Sequence, residues 1–132
     1  MRIFVDTSGF FALLDRDDAD HKKARKIWSD VLNPENTLIT SNYVIVESFV
    51  LIQHRLGLEA LRGFHEDMLP LINIEWIDAE IHKSGVSALL AASRRKLSLV
   101  DCVSFETIRT LGIKTVFAFD PHFAEQGFKC IP

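Results

Sequence analysis

Ile3-Phe4-Val5-Asp6-Thr7-Ser8-Gly9-Phe10-Phe11-Ala12-Leu13-Leu14, near the amino terminus, decides the fold. Ile3 to Val5 is a short β-branched and aromatic run of the kind found in strands buried on both faces. It stops at a carboxylate and two hydroxyls, after which Ser8 to Arg16 reads as a short helix turning Phe10, Phe11, Leu13 and Leu14 toward a core. A buried strand that runs straight into a helix is the first half of a parallel β-α unit. In an open parallel sheet, ligands bind beyond the carboxyl ends of the strands, so Asp6 stands at the functional edge. The simpler role for Asp6 or Thr7 is as N-cap of the helix, because both residue types accept bonds from free backbone N–H groups. What separates the two readings is whether other acids reach the same edge.

Working outward, the pattern repeats. His21–Leu32 carries Ala24, Ile27, Trp28 and Val31 at helical spacing and stops at Asn33-Pro34. Thr37–Thr40 is a second short strand, and Ser41 caps a helix over Asn42–Leu56 that ends at Gly57. A fourth helix is predicted over Leu58–Leu69, before Pro70. Ile72–Ile77 alternates with period two, which predicts an edge or half-exposed strand. A long helix over Ala79–Lys96 follows, and then a helix over Leu99–Leu111 capped by Ser98 and stopped by Gly112. Thr115–Phe119 is an apolar strand, Asp120-Pro121 opens a short last helix, and Phe128–Ile131 forms a final strand. Alternating strands and helices predict one α/β domain over residues 1–132, with a mainly parallel central sheet flanked by helices.

The 132 residues are 48% hydrophobic and 25% charged, a composition that excludes disorder and low complexity. No apolar run is long enough to cross a bilayer, and the amino terminus enters a strand without a signal-like segment, so a cytoplasmic location is expected. Cys102 and Cys130 match no disulfide framework or thiolate metal motif and read as small apolar residues. A net charge of −3 excludes nucleic-acid binding by bulk positive charge. Local basic clusters remain at Lys22, Lys23, Arg25 and Lys26 and at Arg94, Arg95 and Lys96. Either is a solvated helix face unless a phosphate-handling site lies beside it.

Glu47 is the most telling acid. Tyr43, Val44, Val50, Leu51 and His54 stand three, four or seven positions from it, which puts it within an apolar stripe. A buried carboxylate needs a cationic side chain or a metal ion as partner. Asp101 follows Ser98 by three residues, close to a capping box, yet it is embedded among Leu99, Val100, Cys102 and Val103. Asp120 follows a buried strand and precedes Pro121, so it too is explicable as a cap. The placement of all four is what matters: Asp6 and Asp120 end strands, while Glu47 and Asp101 begin helices from the same edge. At about 5 Å and an effective dielectric near 20, each pair of carboxylates costs roughly 3 kcal/mol. Divalent cations remove that cost, and an all-oxygen donor set favours Mg²⁺ or Mn²⁺. Such ions are suited to activating water against a phosphodiester. His21, His54, His65, His82 and His122 show no paired ligand spacing, and His122 is expected on the surface.

Ile3-Phe4-Val5-Asp6-Thr7-Ser8, Ser41–Glu47, Leu97–Cys102 and Phe117-Ala118-Phe119-Asp120-Pro121-His122-Phe123 together resemble the PIN-domain family, most closely its VapC-like ribonuclease toxins. The likeness spans nearly the whole chain. It implies a PIN-like fold and a Mg²⁺- or Mn²⁺-dependent endoribonuclease site in which Asp6, Glu47, Asp101 and Asp120 are catalytic metal ligands supported by Thr7 and Ser8. It further implies an RNA substrate, a protein antitoxin and a homodimer; beside such a site, Lys22, Lys23, Lys26, Arg94 and Arg95 become the candidates for guiding the RNA. The chain departs from the family at Ala118, where many members carry Thr or Ser. The rival readings are a non-catalytic PIN-like module that binds RNA or protein and a receiver-like phosphoacceptor domain. The latter calls for a Lys at a strand end, and no strand here ends in one.

Overall fold

A computed structural model describes residues 1–132. Five strands form one parallel sheet: β1 (Arg2–Val5), β2 (Thr37–Ser41), β3 (Asn73–Glu75), β4 (Thr115–Phe117) and β5 (Lys129–Ile131). Their order is β3-β2-β1-β4-β5. The helices between them are α1 (Thr7–Leu14), α2 (His21–Val31), α3 (Asn42–Leu56), α4 (Leu58–Gly63), α5 (Ala79–Ala92), α6 (Leu99–Leu111) and α7 (His122–Glu125). The α/β architecture expected from the alternating pattern is the one observed. No helix is long and apolar enough to cross a membrane.

β1 is the centre of the molecule. Ile3, Phe4 and Val5 are fully buried, as strands covered by helices on both faces must be. The chain first adds β2 and β3 on one side of β1 and then returns to add β4 and β5 on the other. That reversal opens a crevice between the carboxyl ends of β1 and β4, where open α/β sheets bind ligands. β3 takes the edge position that its alternating sequence predicts.

Several boundaries differ from the sequence pattern, each for a local reason. The predicted helix Leu58–Leu69 is α-helical only to Gly63 and continues as a π turn over Phe64–Met68 and a 3₁₀ turn over Leu69–Leu71. Pro70 has no N–H to give, and its ring excludes regular α-helix behind it. α5 stops at Ala92, short of Lys96. There Ser93 turns left-handed with φ 52°, and its backbone N–H donates to the Leu89 carbonyl. α1 ends at Leu14, and β3 is only three residues long. β4 ends at Phe117 instead of Phe119, because the Phe119 N–H leaves the sheet to donate to Ser8 Oγ at 2.9 Å. Asp120 therefore sits in a loop beyond the strand end.

Close packing holds α1 over this edge. A Cβ on Gly9 would lie 2.8 Å from the Phe117 carbonyl oxygen, a contact with backbone that no side-chain rotation relieves. Gly9→Ala is expected to destabilise the protein by about 1–3 kcal/mol, the usual cost of overpacking. It should also lower the affinity for divalent ions, since α1 carries Ser8 and begins at Asp6. Urea unfolding alongside a Mn²⁺ titration checks both, and wild-type behaviour in each would show that α1 can shift freely.

Candidate active site

Each of the four acids is delivered to the crevice by a different element. Asp6 follows β1 and N-caps α1: the Ser8 N–H donates to its Oδ2 at 3.1 Å and the Ser8 hydroxyl donates to the same oxygen at 2.8 Å. Ser8 Oγ in turn accepts the Phe119 N–H, so one hydroxyl ties the Asp6 carboxylate to the loop that carries Asp120. Asp101 lies in the first turn of α6. Its Oδ2 accepts the Ser98 N–H at 3.1 Å while its own N–H donates to Ser98 Oγ at 3.0 Å, completing a capping box. Asp120 Oδ1 accepts the His122 N–H at 2.9 Å. The capping roles suggested by the sequence hold for Asp6 and Asp101, whereas α7 has Pro121 at its N-cap and Asp120 only makes a local turn before it; each carboxylate keeps acceptor capacity for other partners.

Glu47 is half-buried on α3. The buried face of that helix is Val44, Ser48 and Ile52, while Val50 and His54 are exposed, so Glu47 sits at the margin of the stripe and not at its centre. Ser48 Oγ donates to Thr7 Oγ1 at 3.2 Å, linking α3 to the start of α1. The four acids line one cleft of about 440 Å³ together with Thr7 and Ser8; Ala118 is buried in the core and adds no hydroxyl to it.

The electrostatics are those of a site built for positive charge. Burial pushes the Asp6 carboxyl up to about 7 against two opposing hydrogen bonds from Ser8, with Asp101 and Glu47 adding to the rise. Burial also raises Glu47, with further rises from Asp101 and Asp120 and opposition from the Thr7 hydroxyl. Asp101 is raised by burial and by Asp120, against its bonds to Ser98. No lysine or arginine forms an ion pair with any of the four. Only His122, beside Asp101 and Asp120, offers a basic side chain that opposes this rise, and the oxygen-rich donor set fits a hard divalent cation.

Two features of the cleft, its further acids and the position of His122, escaped the sequence reading, and one member of a basic cluster noted there proves to lie on its wall. Asp18 and Asp20, from the turn between α1 and α2, line it as well, which brings its carboxylates to six. Clustered acids ahead of α2 read as dipole compensation, and only the chain reversal shows that they face the crevice. Lys96 is the single basic residue on the cleft wall. His122, expected on the surface, is instead mostly buried: its side chain is 14% exposed, and Nδ1 lies 3.0 Å from Asp120 Oδ1 and 3.7 Å from Asp101 Oδ2. Phe123, next in sequence, is fully buried and packs edge-on against Phe105, which holds the preceding residue against Asp101 and Asp120. Of the basic residues, Lys22, Lys23 and Arg95 are exposed and unpaired, whereas Lys26 pairs with Asp30 at 3.2 Å and Arg94 with Glu125 at 3.1 Å.

A five-stranded parallel sheet with an acidic crevice at its switch point is the framework of a metal-dependent nuclease domain, and the PIN domain profile matches residues 3–129. The chain belongs to the PIN-domain family. Within it, the chain is 32% identical over 127 residues to the 23S rRNA-specific endonuclease VapC20 of Mycobacterium tuberculosis, covering 96% of this chain and 95% of that one. The crystal structure of VapC20, described as a sarcin-ricin loop cleaving toxin, superposes with a TM-score of 0.85 over the same shares of the two chains. A VapC ribonuclease of Aquifex aeolicus is 21% identical, covering 96% of this chain and 93% of the relative. VapBC2 of Rickettsia felis, solved bound to a DNA fragment from its promoter, shares the fold with a TM-score of 0.70 at 11% identity, covering 98% and 97% of the two chains.

Proposed function

We propose that this chain is a Mg²⁺- or Mn²⁺-dependent endoribonuclease and the toxin of a type II toxin–antitoxin pair, with residues 1–132 forming its nuclease domain. The observation that carries this reading is the convergence of Asp6, Glu47, Asp101 and Asp120 on one cleft in which no lysine or arginine pairs with any of them. Its similarity to VapC20 over nearly the full length of both chains supports RNA as the substrate class.

In this reading Asp6 and Asp101 are the principal metal ligands, and Glu47 and Asp120 complete the coordination or orient water. Bound divalent ions supply activation of water at neutral pH and neutralisation of charge on the scissile phosphate. The chain supplies the positioning. Ser8 fixes the Asp6 carboxylate and the Asp120 loop at once, and the Ser98 capping box fixes the direction of Asp101. The half-exposed Glu47 faces the open side of the cleft, where a water molecule has access. Lys96, on the wall, is placed to meet a phosphate oxygen.

Cleavage of a panel of single-stranded and structured RNAs, including 23S rRNA fragments, tests the proposal. Cutting in Mn²⁺ or Mg²⁺ that stops in EDTA is the expected result. No cutting of any RNA, combined with no divalent-ion binding, would assign the chain to the non-catalytic members of its fold. Lys22 and Lys23 lie in the first turn of α2, two and three residues after Asp20 on the cleft wall, which supports them as guides for the RNA backbone. Replacing both with Glu should weaken RNA binding several-fold and reduce the slope of log affinity against log salt by about 1.4, for two lost single-strand phosphate contacts. An unchanged slope would remove α2 from the RNA path.

The resemblance to VapC toxins also supports a protein antitoxin that covers the cleft, a homodimer, and a cytoplasmic site of action. Co-purification of a small inhibitory protein encoded beside this chain tests the first of these.

A further inference from the structure

His122 has no role in the reading above, yet its position is unusual. Nδ1 is wholly buried and lies 3.0 Å from Asp120 Oδ1 and 3.7 Å from Asp101 Oδ2, but it forms no hydrogen bond with either. The Asp101 oxygen lies beyond hydrogen-bond reach, and the Asp120 oxygen, though close enough, is not met in a hydrogen-bonding direction. Asp120 Oδ1 already accepts the His122 backbone N–H at 2.9 Å. A buried ring nitrogen beside two carboxylates and bonded to none of them is costly.

A shared cation accounts for the arrangement. Ligands at about 2.1 Å from an octahedral ion are separated by about 3.0 Å when adjacent and about 4.2 Å when opposite. One ligand atom from each of Asp101, Asp120 and His122 lies within 4.8 Å of the others; the 3.0 Å from Nδ1 to Asp120 Oδ1 matches adjacent ligands, and the 3.7 Å to Asp101 Oδ2 needs a shift of a few tenths of an ångström to match either value. The ring is also held in place: Pro121 precedes it, and the buried Phe123 anchors the next residue against Phe105.

The geometry points to His122 Nδ1 as a direct ligand of the divalent ion held by Asp101 and Asp120, which gives the site a nitrogen donor and a preference for Mn²⁺ over Mg²⁺. The inference rests on the reading of these acids as metal ligands. Imidazole nitrogen binds first-row transition ions well and Mg²⁺ poorly, whereas a site of carboxylates and water discriminates little between Mg²⁺ and Mn²⁺. His122 is therefore the residue that sets which ion the cleft retains.

The test measures metal binding apart from RNA cleavage. Mn²⁺ affinity is read from the EPR signal of the free ion, Mg²⁺ affinity by competition, and nitrogen coordination from ¹⁴N modulation in pulsed EPR of the Mn²⁺-loaded protein. Wild type should show ¹⁴N modulation from a bound imidazole. His122→Gln should lose that modulation and lower Mn²⁺ affinity about tenfold or more while leaving Mg²⁺ affinity nearly unchanged. Equal changes in the two affinities, or wild-type protein with Mn²⁺ bound but no ¹⁴N modulation, would overturn the assignment, and the second result needs no variant to fold. Cleavage that Mn²⁺ and Mg²⁺ both support, without ¹⁴N coupling, would reject His122 as a ligand and leave the nuclease reading standing.

Discussion

Asp6→Asn is expected to abolish metal-dependent RNA cleavage while leaving the protein at least as stable as wild type. The loss should be on the order of 10³-fold, because a metal ligand at the reacting phosphate contributes several kcal/mol of transition-state stabilisation and each 1.4 kcal/mol is about tenfold in rate. Stability moves the other way for an electrostatic reason. Asp6 is 3% exposed, has no cationic side chain as partner, and shares its cleft with Asp101 and Glu47, which already raise its carboxyl. Asparagine keeps the side-chain oxygen that accepts from Ser8 and so keeps the cap, while it removes a charge that the fold alone does not compensate. Activity lost together with a large drop in unfolding free energy would mean that Asp6 is structural. Retained cleavage would move the metal site elsewhere.

The second large effect is a stability that depends on pH in the absence of metal. The Asp6 carboxyl, ordinarily near 3.8, is raised by burial to about 7 in the folded protein. The folded state therefore holds a proton that the unfolded chain releases between those values. The stabilisation is fully present below pH 3.8 and is lost as pH rises through about 7. For Asp6 the difference amounts to roughly 4 kcal/mol. Glu47 and Asp101, also raised by burial, act in the same direction. Urea unfolding in EDTA should show Asp6→Asn nearly equal to wild type at pH 4 and more stable than wild type at pH 8. Saturating Mn²⁺ at pH 8 should restore the wild type, by about 2.7 kcal/mol at a hundredfold excess over Kd. Wild type and variant running parallel across the whole range in EDTA would show that the Asp6 charge is already compensated within the fold.

These two expectations separate a site residue from a scaffold residue, which the local sequence alone does not do. Asp6 and Asp101 each carry a capping bond and Asp120 a local turn bond, and these bonds suffice to explain each residue taken singly. The bonds and the proposed chemistry do not compete. Each carboxylate has more acceptor sites than the backbone uses, and the bond it makes fixes its direction, which is what a ligand to a metal ion requires.

The architecture is local information and was legible from one chain. Ile3-Phe4-Val5 could only be a strand covered on both faces, Gly57 and Gly112 stop helices wherever those helices pack, and the spacing of apolar residues assigns the helices without reference to their neighbours. Because acids at strand ends and helix starts follow from that pattern, so did the meeting of Asp6, Glu47, Asp101 and Asp120 at one edge. Other features depend on contacts across long stretches of chain. β4 stops at Phe117 because Ser8, more than a hundred residues earlier, takes the Phe119 N–H. His122 lies against Asp101 and Asp120 because Phe123 is drawn into the core against Phe105, and Asp18, Asp20 and Lys96 reach the cleft wall through chain reversals whose direction has no periodic signature. Periodicity reports which face of an element is apolar; the neighbours that the folded chain brings to that face set the polar geometry of the site.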